Sequence, residues 1–220
     1  MSSFPLGIDV SHHNGVIDWS AAAKAGIAFA YAKATEGATF TDKRFAANWK
    51  AIREAGLARG AYHFFHPATA VAKQVEHFVA TVGELEPDDL PPMLDLEETS
   101  ATKTKDEWRR IERAQRVPLA LEWLERVEEK LGRRPLVYTR RGFVQDTLGA
   151  PGRLCGYQVW IAHYTKAAKP SVPPGWAKWT LWQYTDAGSL AGIKCKLDMN
   201  RLNGSLQDLL ATEADAATAG

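Results

Sequence analysis

Gln158-Val-Trp-Ile-Ala-His-Tyr164 is followed by Thr165 and then by Lys166-Ala-Ala-Lys-Pro-Ser-Val-Pro-Pro-Gly175. The first seven residues read as a strand, rich in β-branched and aromatic side chains. The ten that follow carry three prolines, which lack the N–H a helix needs, so they read as a loop and not as an ordinary crossover helix. Upstream the pattern is different. Runs at Gly7–Ser11, Ile27–Thr35, Ala58–Phe65, Pro92–Glu97 and Pro135–Thr139 read as strands. Apolar residues at helical spacing lie between several of them. Phe45, Trp49 and Ile52 form one stripe, with Thr41 or Asp42 as cap and Gly56 as stop. Val71, Val75, Phe78, Val79 and Val82 form a second, and Leu121, Leu124, Val127 and Leu131 a third, with Pro118 expected to start or kink it. Lys103–Arg113 reads as a separate charged helix, and Arg141–Leu148 as a short one. Downstream, Trp179–Thr185 and Lys196–Asn200 are strands with only the Gly-rich 186–194 between them. Five strand–helix units followed by three nearly bare strands predict an α/β barrel of parallel strands, with an antiparallel strand allowed late in the chain where no crossover is available.

In such a barrel the functional groups collect at the C-terminal ends of the strands. Side chains two residues apart share a face of a strand. Asp95 and Glu97 therefore point together, opposite Leu94 and Leu96; Asp9 shares a face with Gly7 and Ser11, opposite Ile8 and Val10; Asp198 shares one with Asn200, opposite Leu197 and Met199. The apolar faces must meet the helices, so Asp9, Asp95, Glu97 and Asp198 are expected to face the barrel axis and meet in one pocket. Like charges crowded away from water raise at least one carboxyl pKa, and a carboxyl kept protonated near neutrality is what a general acid requires.

Length and composition bound the alternatives. The 220 residues make one domain of ordinary size, drawn here as 5–207 with a short tail at 208–220 expected to fray. A net charge of +1 argues against nucleic acid or an anionic membrane held by bulk charge, and no apolar run is long enough to span a bilayer. The opening Met1-Ser-Ser-Phe-Pro5 has no leader pattern, which is compatible with export through a holin pore, by another non-Sec route, or after removal of a leader. Cys155 and Cys195 allow at most one disulfide and no four-thiolate zinc site. Among the many aromatics, Trp49, Trp108, Trp123 and Trp179 fit packing, whereas Tyr62, Tyr138 and Trp160 lie nearer the mouth, where sugar stacking or hydrogen bonding competes with packing. Gln183 ends the seventh strand and Glu36 follows the second; both are candidates for substrate contact, with holding the Gly37 turn the alternative for Glu36. His63 should lie opposite Tyr62 as a packed histidine, and His12 and His13 read as surface residues.

These segments, in order, resemble family 25 glycoside hydrolases, the N-acetylmuramidase lysozymes of bacteria, fungi and bacteriophages, phage endolysins among them. The resemblance rests on Asp9-Val-Ser-His-His-Asn-Gly-Val-Ile-Asp-Trp19, Lys33-Ala-Thr-Glu-Gly37, Gly60-Ala-Tyr-His-Phe-Phe65, Leu94-Asp-Leu-Glu97, Pro135-Leu-Val-Tyr-Thr139, Val159-Trp-Ile-Ala-His-Tyr164, Leu181-Trp-Gln-Tyr184 and Leu197-Asp-Met-Asn200. It covers about Gly7 to Gly204. It implies a flattened (β/α)5(β)3 barrel and hydrolysis of the β-1,4 bond between N-acetylmuramic acid and N-acetylglucosamine in peptidoglycan. It further implies no cofactor or metal, action at the cell wall outside the cytoplasm or in the periplasm, and a monomer. By position, Glu97 is the acid/base and Asp95, Asp9 and Asp198 complete the site. His13-Asn14 departs from the family pattern, which often has an aromatic residue or Gln before the Gly. No repeat or wall-binding module is expected after the barrel, whereas many members of the family carry one.

Two mechanisms stay open at this point. In one, Glu97 protonates the leaving oxygen while the substrate's own 2-acetamido group, oriented by Asp95, attacks the anomeric carbon. In the other, Asp9 or Asp198 is the direct nucleophile or base. Two other classes compete: a barrel that binds glycan without cleaving it, and a metal hydrolase built on His12, Asp9, His63 and Glu97.

Overall fold

The computed structural model describes residues 4–210. Eight strands close into a barrel: β1 (Leu6–Val10), β2 (Ile27–Glu36), β4 (Ala58–Phe64), β5 (Met93–Asp95), β6 (Leu136–Thr139), β7 (Val159–Ala162), β8 (Leu181–Gly188) and β9 (Leu197–Leu202). A two-residue strand, β3 (Phe40–Thr41), folds back on the end of β2. Barrel neighbours from β1 through β8, β3 aside, are all parallel; β9 runs antiparallel to both β8 and β1 and closes the seam. The reversal is forced by chain length: the short 189–196 connection leaves no room for the crossover that a parallel partner needs.

The helices lie outside. They are α1 (Trp19–Lys24), α2 (Phe45–Glu54), α3 (Val71–Val82), α4 (Arg113–Leu131), α5 (Arg141–Phe143, continued by a wider turn over Val144–Leu148) and α6 (Leu206–Leu210). After β7 only loops and strands remain until α6. The barrel is therefore the one expected, with corrections at four places. The first connection holds the Ala-rich α1, too short to display an apolar stripe. Lys103–Arg113 is not a helix; it forms turns with one 3-10 turn at Glu107–Arg110, because Trp108 drops into the core and Asp106 caps that turn. Pro118 does not start α4, one of the two outcomes expected of it. It lies inside, where it forfeits only its own bond to the carbonyl four residues back, while Arg116 ties the helix start to the Ile111 and Thr147 carbonyls. Finally, α6 runs past the expected domain end at Gln207, and its Leu209 is buried beneath the barrel; the rest of the expected frayed tail, 211–220, lies outside the described residues.

Strand parity divides the core in two. Ile8, Val10, Leu94, Leu96, Val137, Val159 and Ile161 pack outward with helix residues such as Ile52, Phe78 and Leu124. Phe29, Tyr31, Met93, Leu136, Tyr138, Trp160, Leu181 and Leu202 fill the barrel, with Leu90 and Leu209 in the same cluster. Barrel interiors alternate large and small residues to fill a narrow space. Here Phe29 and Tyr31 of β2 lean over glycines on the two adjoining strands, Gly7 on β1 and Gly60 on β4. A Cβ at either glycine would stand 2.2 Å from the facing ring. Gly60→Ala is therefore expected to cost about 1–3 kcal/mol of stability by overpacking, to be read as a lower urea midpoint with an unchanged m-value.

Candidate active site

The four predicted acids come together at the mouth, and the reversed β9 is what delivers the last of them. Because β9 is antiparallel, Asp198 lies near its N-terminal end and pairs in register with Asp9 of β1. Asp9 is buried and its carboxylate is fully engaged. Gln183 Nε2 donates to both oxygens, at 3.2 and 3.0 Å, and Asn200 Nδ2 donates to Oδ2 at 2.7 Å. Burial pushes its pKa up while these donors and Asp198 pull it down. Asp198 is pushed up to about 8, by burial first and then by the negative charge of Asp9, with which it shares a hydrogen bond.

Asp95 is the last residue of β5, and Glu97 lies just beyond it. Burial, reinforced by the Glu97 charge, lifts Asp95 well above the usual carboxylate range, and its Oδ1 is buried without a hydrogen-bond partner. Burial and the neighbouring Glu98 raise Glu97 to about 7, against the pull of Arg140 and Lys33. The loop carrying Glu97 is anchored, since Trp108 Nε1 donates to the Glu97 carbonyl at 2.8 Å. A cleft of about 530 Å³ opens beside Glu97, lined by Tyr138, Arg140, Arg141, Ala162, His163, Tyr164 and Ser171 among others. That is the size of a small-molecule site.

Tyr62 points inward among the acids, whose charges together with burial keep its phenol protonated. Tyr138 lines the cleft and donates to Gln183 Oε1 at 2.9 Å. Three expectations need correction. Trp160 has no exposed surface; its indole fills the barrel between Tyr31 and Tyr138 and donates to Asn200 Oδ1 at 2.9 Å, so no sugar can stack on it. Gln183 is buried, with its NH2 committed to Asp9 and its carbonyl accepting from Tyr138 and Tyr164; it positions Asp9 and has nothing left for substrate. Glu36 spends its carboxylate on Lys33 (2.6 Å) and His66 (3.1 Å) and not on the Gly37 turn, and these bonds, His66 first, lower its pKa to about 2.

His63 is packed as predicted, on the outer face of β4. It is bonded to Thr35 and Gln74 and stacked on Trp123, and burial lowers its pKa to about 3. His12 is bonded to Asp42 at 2.7 Å. The alternative metal ligand set is therefore not assembled. Both cysteines are free.

Three residues of the mouth have no role in the sequence analysis above. Lys33 was legible by parity, two residues after Tyr31 on the inward face of β2; a bulge after it turns Thr35 outward to His63 and returns Glu36 to its side. Tyr164, just past β7, is 51% exposed and reaches Gln183 at 2.7 Å. Asn200 acts through Asp9, a partner 191 positions away in the chain.

Comparison with known proteins decides what this mouth belongs to. Residues 8–193 match glycosyl hydrolases family 25. The chain belongs to glycosyl hydrolase family 25. This family 25 chain is 35% identical to lysozyme M1 of Streptomyces globisporus over 215 residues, covering 96% of this chain and 72% of that one. It is 30% identical to an N,O-diacetylmuramidase of Chalaropsis sp, covering 92% and 96% of the two chains. Its fold superposes on the crystal structure of a bacterial lysozyme from Streptomyces coelicolor with a TM-score of 0.87 at 33% identity, across 100% of both chains.

The raised carboxyls predict the pH dependence of stability. The folded state keeps protons on Asp198 and Glu97 that the unfolded chain releases near pH 4. Their contribution is thus fully present below about pH 4 and is lost as the pH rises through about 7 and 8. Asp198→Asn should flatten this decline. In thermal melts at pH 9 the variant should unfold above the wild type, by roughly 2–4 °C for each kcal/mol relieved, and the gap should close at pH 5.

Proposed function

We propose that this family 25 enzyme hydrolyses the β-1,4 bond between N-acetylmuramic acid and N-acetylglucosamine in bacterial peptidoglycan, with Glu97 as acid and base and the substrate's acetamide as the internal nucleophile. The observation that carries this reading is a carboxyl held protonated to about pH 7 at the edge of a sugar-sized cleft, beside a second carboxyl with an unpartnered oxygen.

The division of labour follows from the surroundings of each acid. Asp9 is a poor nucleophile, since Gln183 and Asn200 already occupy its lone pairs. Asp198 is protonated, which removes it as a nucleophile at neutral pH. Asp95 is left. Its free Oδ1 suits an N–H donor, and the acetamide N–H supplies one. That bond favours ionised Asp95, whose charge then keeps the shared proton on Glu97. Glu97 gives this proton to the glycosidic oxygen as the C1–O bond breaks, and the acetamide oxygen closes on C1. Water then attacks C1, losing its proton to Glu97 as the bond between C1 and the acetamide oxygen breaks and the acetamide is regenerated, and the β configuration is retained. Tyr62 supplies a hydroxyl donor at the mouth.

The enzyme works at the cell wall, where its substrate is, and we assign it to act there as a monomer. Its exposed large apolar side chains, Phe4, Val16, Phe40 and Tyr164, belong to separate stretches of the described chain. No helix among the described residues is long and apolar enough to cross a membrane.

Glu97→Gln should lower the rate of clearing of a peptidoglycan suspension by about 10²–10⁴-fold. In the wild type, kcat/KM should fall on the alkaline side with an apparent pKa near 7, set by Glu97. Mass spectrometry of the digest should place every new reducing end on N-acetylmuramic acid, and proton NMR of the first product should show the β anomer. A variant that retains activity, or reducing ends on N-acetylglucosamine, would overturn the assignment; an α first product would overturn the acetamide step alone.

A further inference from the structure

The mouth is acidic, but one wall of its cleft is not. Arg140 and Arg141 follow β6 and line the same cleft as Glu97, with His163 and Tyr164 of the next strand end beside them. Arg140 is ion-paired with Glu98. Arg141 is exposed, and its Nη1 donates to a neutral acceptor, the Val172 carbonyl, at 3.2 Å. That bond ties it to the Pro-rich loop, which forms the far lip through Ser171. His163 accepts the Ser171 N–H at Nδ1 (3.0 Å), so its other ring nitrogen carries the proton and is a donor. The stretch from Gln158 to Thr185 contains no Asp or Glu, yet the loop within it carries exposed Lys166 and Lys169. Two guanidinium groups thus line the same cleft as Glu97.

A glycan of N-acetylated sugars is neutral and gains nothing from such a wall. Within peptidoglycan the negative charge sits on the peptide stems, whose free carboxylates hang from the lactyl groups of the muramic acid residues. A carboxylate gains nothing from the protonated acids of the mouth and is repelled by the charge on Asp9, whereas one approaching Arg141 is attracted; an exposed guanidinium pairs with a carboxylate in a fork that a lysine cannot match. Resting on the function proposed above, we infer that the Arg140–Arg141 wall, with Arg141 as its principal contact, binds the carboxylates of the muramic acid peptide stem and so makes the enzyme selective for anionic, stem-bearing strands. The contact also orients the strand, because it places the lactyl side of the sugar toward the β6 and β7 ends of the mouth.

The test uses one teichoic-acid-free peptidoglycan in two forms, native and with its stem carboxylates converted to methylamides by carbodiimide coupling. The peptide bulk is then equal and only the charge differs. An exposed ion pair contributes about 0.2–1 kcal/mol, or roughly 1.4- to 5-fold. The wild type should therefore cut the native form with a kcat/KM higher by about that factor, the difference lying in KM and fading at 0.5 M salt. Arg141→Ala should lose the preference, with KM raised on the native form, unchanged on the amidated form, and kcat unchanged on both. Arg141→Lys should restore part of it. Equal rates on the two forms by the wild type, or an equal loss on both forms in Arg141→Ala, would overturn the inference. If the wild type cut neither form, the muramidase assignment would fail, and this inference with it; cleavage of both forms without preference would sink the inference alone.

Discussion

Asp9 and Asp198 meet across the seam where the barrel closes, and four carboxyl groups in so small and dry a space cannot all be charged. The rest of the site is organised around this constraint. One acid, Asp9, is held in place by amide donors and gives hydrogen-bond stabilisation in place of water. Its partner keeps a proton. At the other side of the mouth, burial first and then neighbouring negative charge raise both Asp95 and Glu97, while Lys33 pulls each of them down. The low dielectric that makes the arrangement costly also makes Glu97 a usable acid at neutral pH.

The barrel interior serves as a scaffold for that arrangement. Moving upward from Leu209 and Leu90, it passes through Phe29, Met93, Leu136 and Leu202 and then reaches Tyr31, Trp160 and Tyr138. Each polar tip of this aromatic layer finds a partner: Tyr31 donates to the Pro91 carbonyl, Trp160 to Asn200, and Tyr138 to Gln183. Asn200 and Gln183 then pass the order on to Asp9. A buried polar chain of this kind stabilises only when every member is satisfied, and this one ends on the acids. Trp160 is thus part of the support for the site, two bonds from Asp9 and away from any sugar.

A neutral glycan with anionic side peptides sets two electrostatic demands that pull apart. The reacting bond needs a crowded acidic pocket, while the peptides need to be kept from it. Under the inference drawn above, the guanidinium groups of Arg140 and Arg141 on one wall of the cleft meet both. The Pro-rich loop is long because no helix follows β7, so the shortage of helices in the last third of the chain also shapes the cleft.

Much of this was legible without coordinates. Leu94-Asp95-Leu96-Glu97 fixes its own orientation, because period-two geometry leaves the leucines only the helix layer to pack against; the same holds for Asp9, for Asp198 and for the outward His63. The helix-free final third follows from the prolines and glycines there. Other features depend on distant partners. Whether Trp160 is a sugar platform or a buried prop, and whether Gln183 touches substrate or Asp9, is decided by side chains 40 and 174 residues away. The bulge in β2 shifts the facing of Glu36, and a local pattern does not reveal a bulge. The reversal of β9, which seats Asp198 opposite Asp9, comes from closing the ring through too short a connection. Local sequence thus determined which side chains could face inward, since alternation is a property of the strand; tertiary structure decided which of them meet and which stay protonated, since repulsion and desolvation depend on distances that only the closed barrel sets.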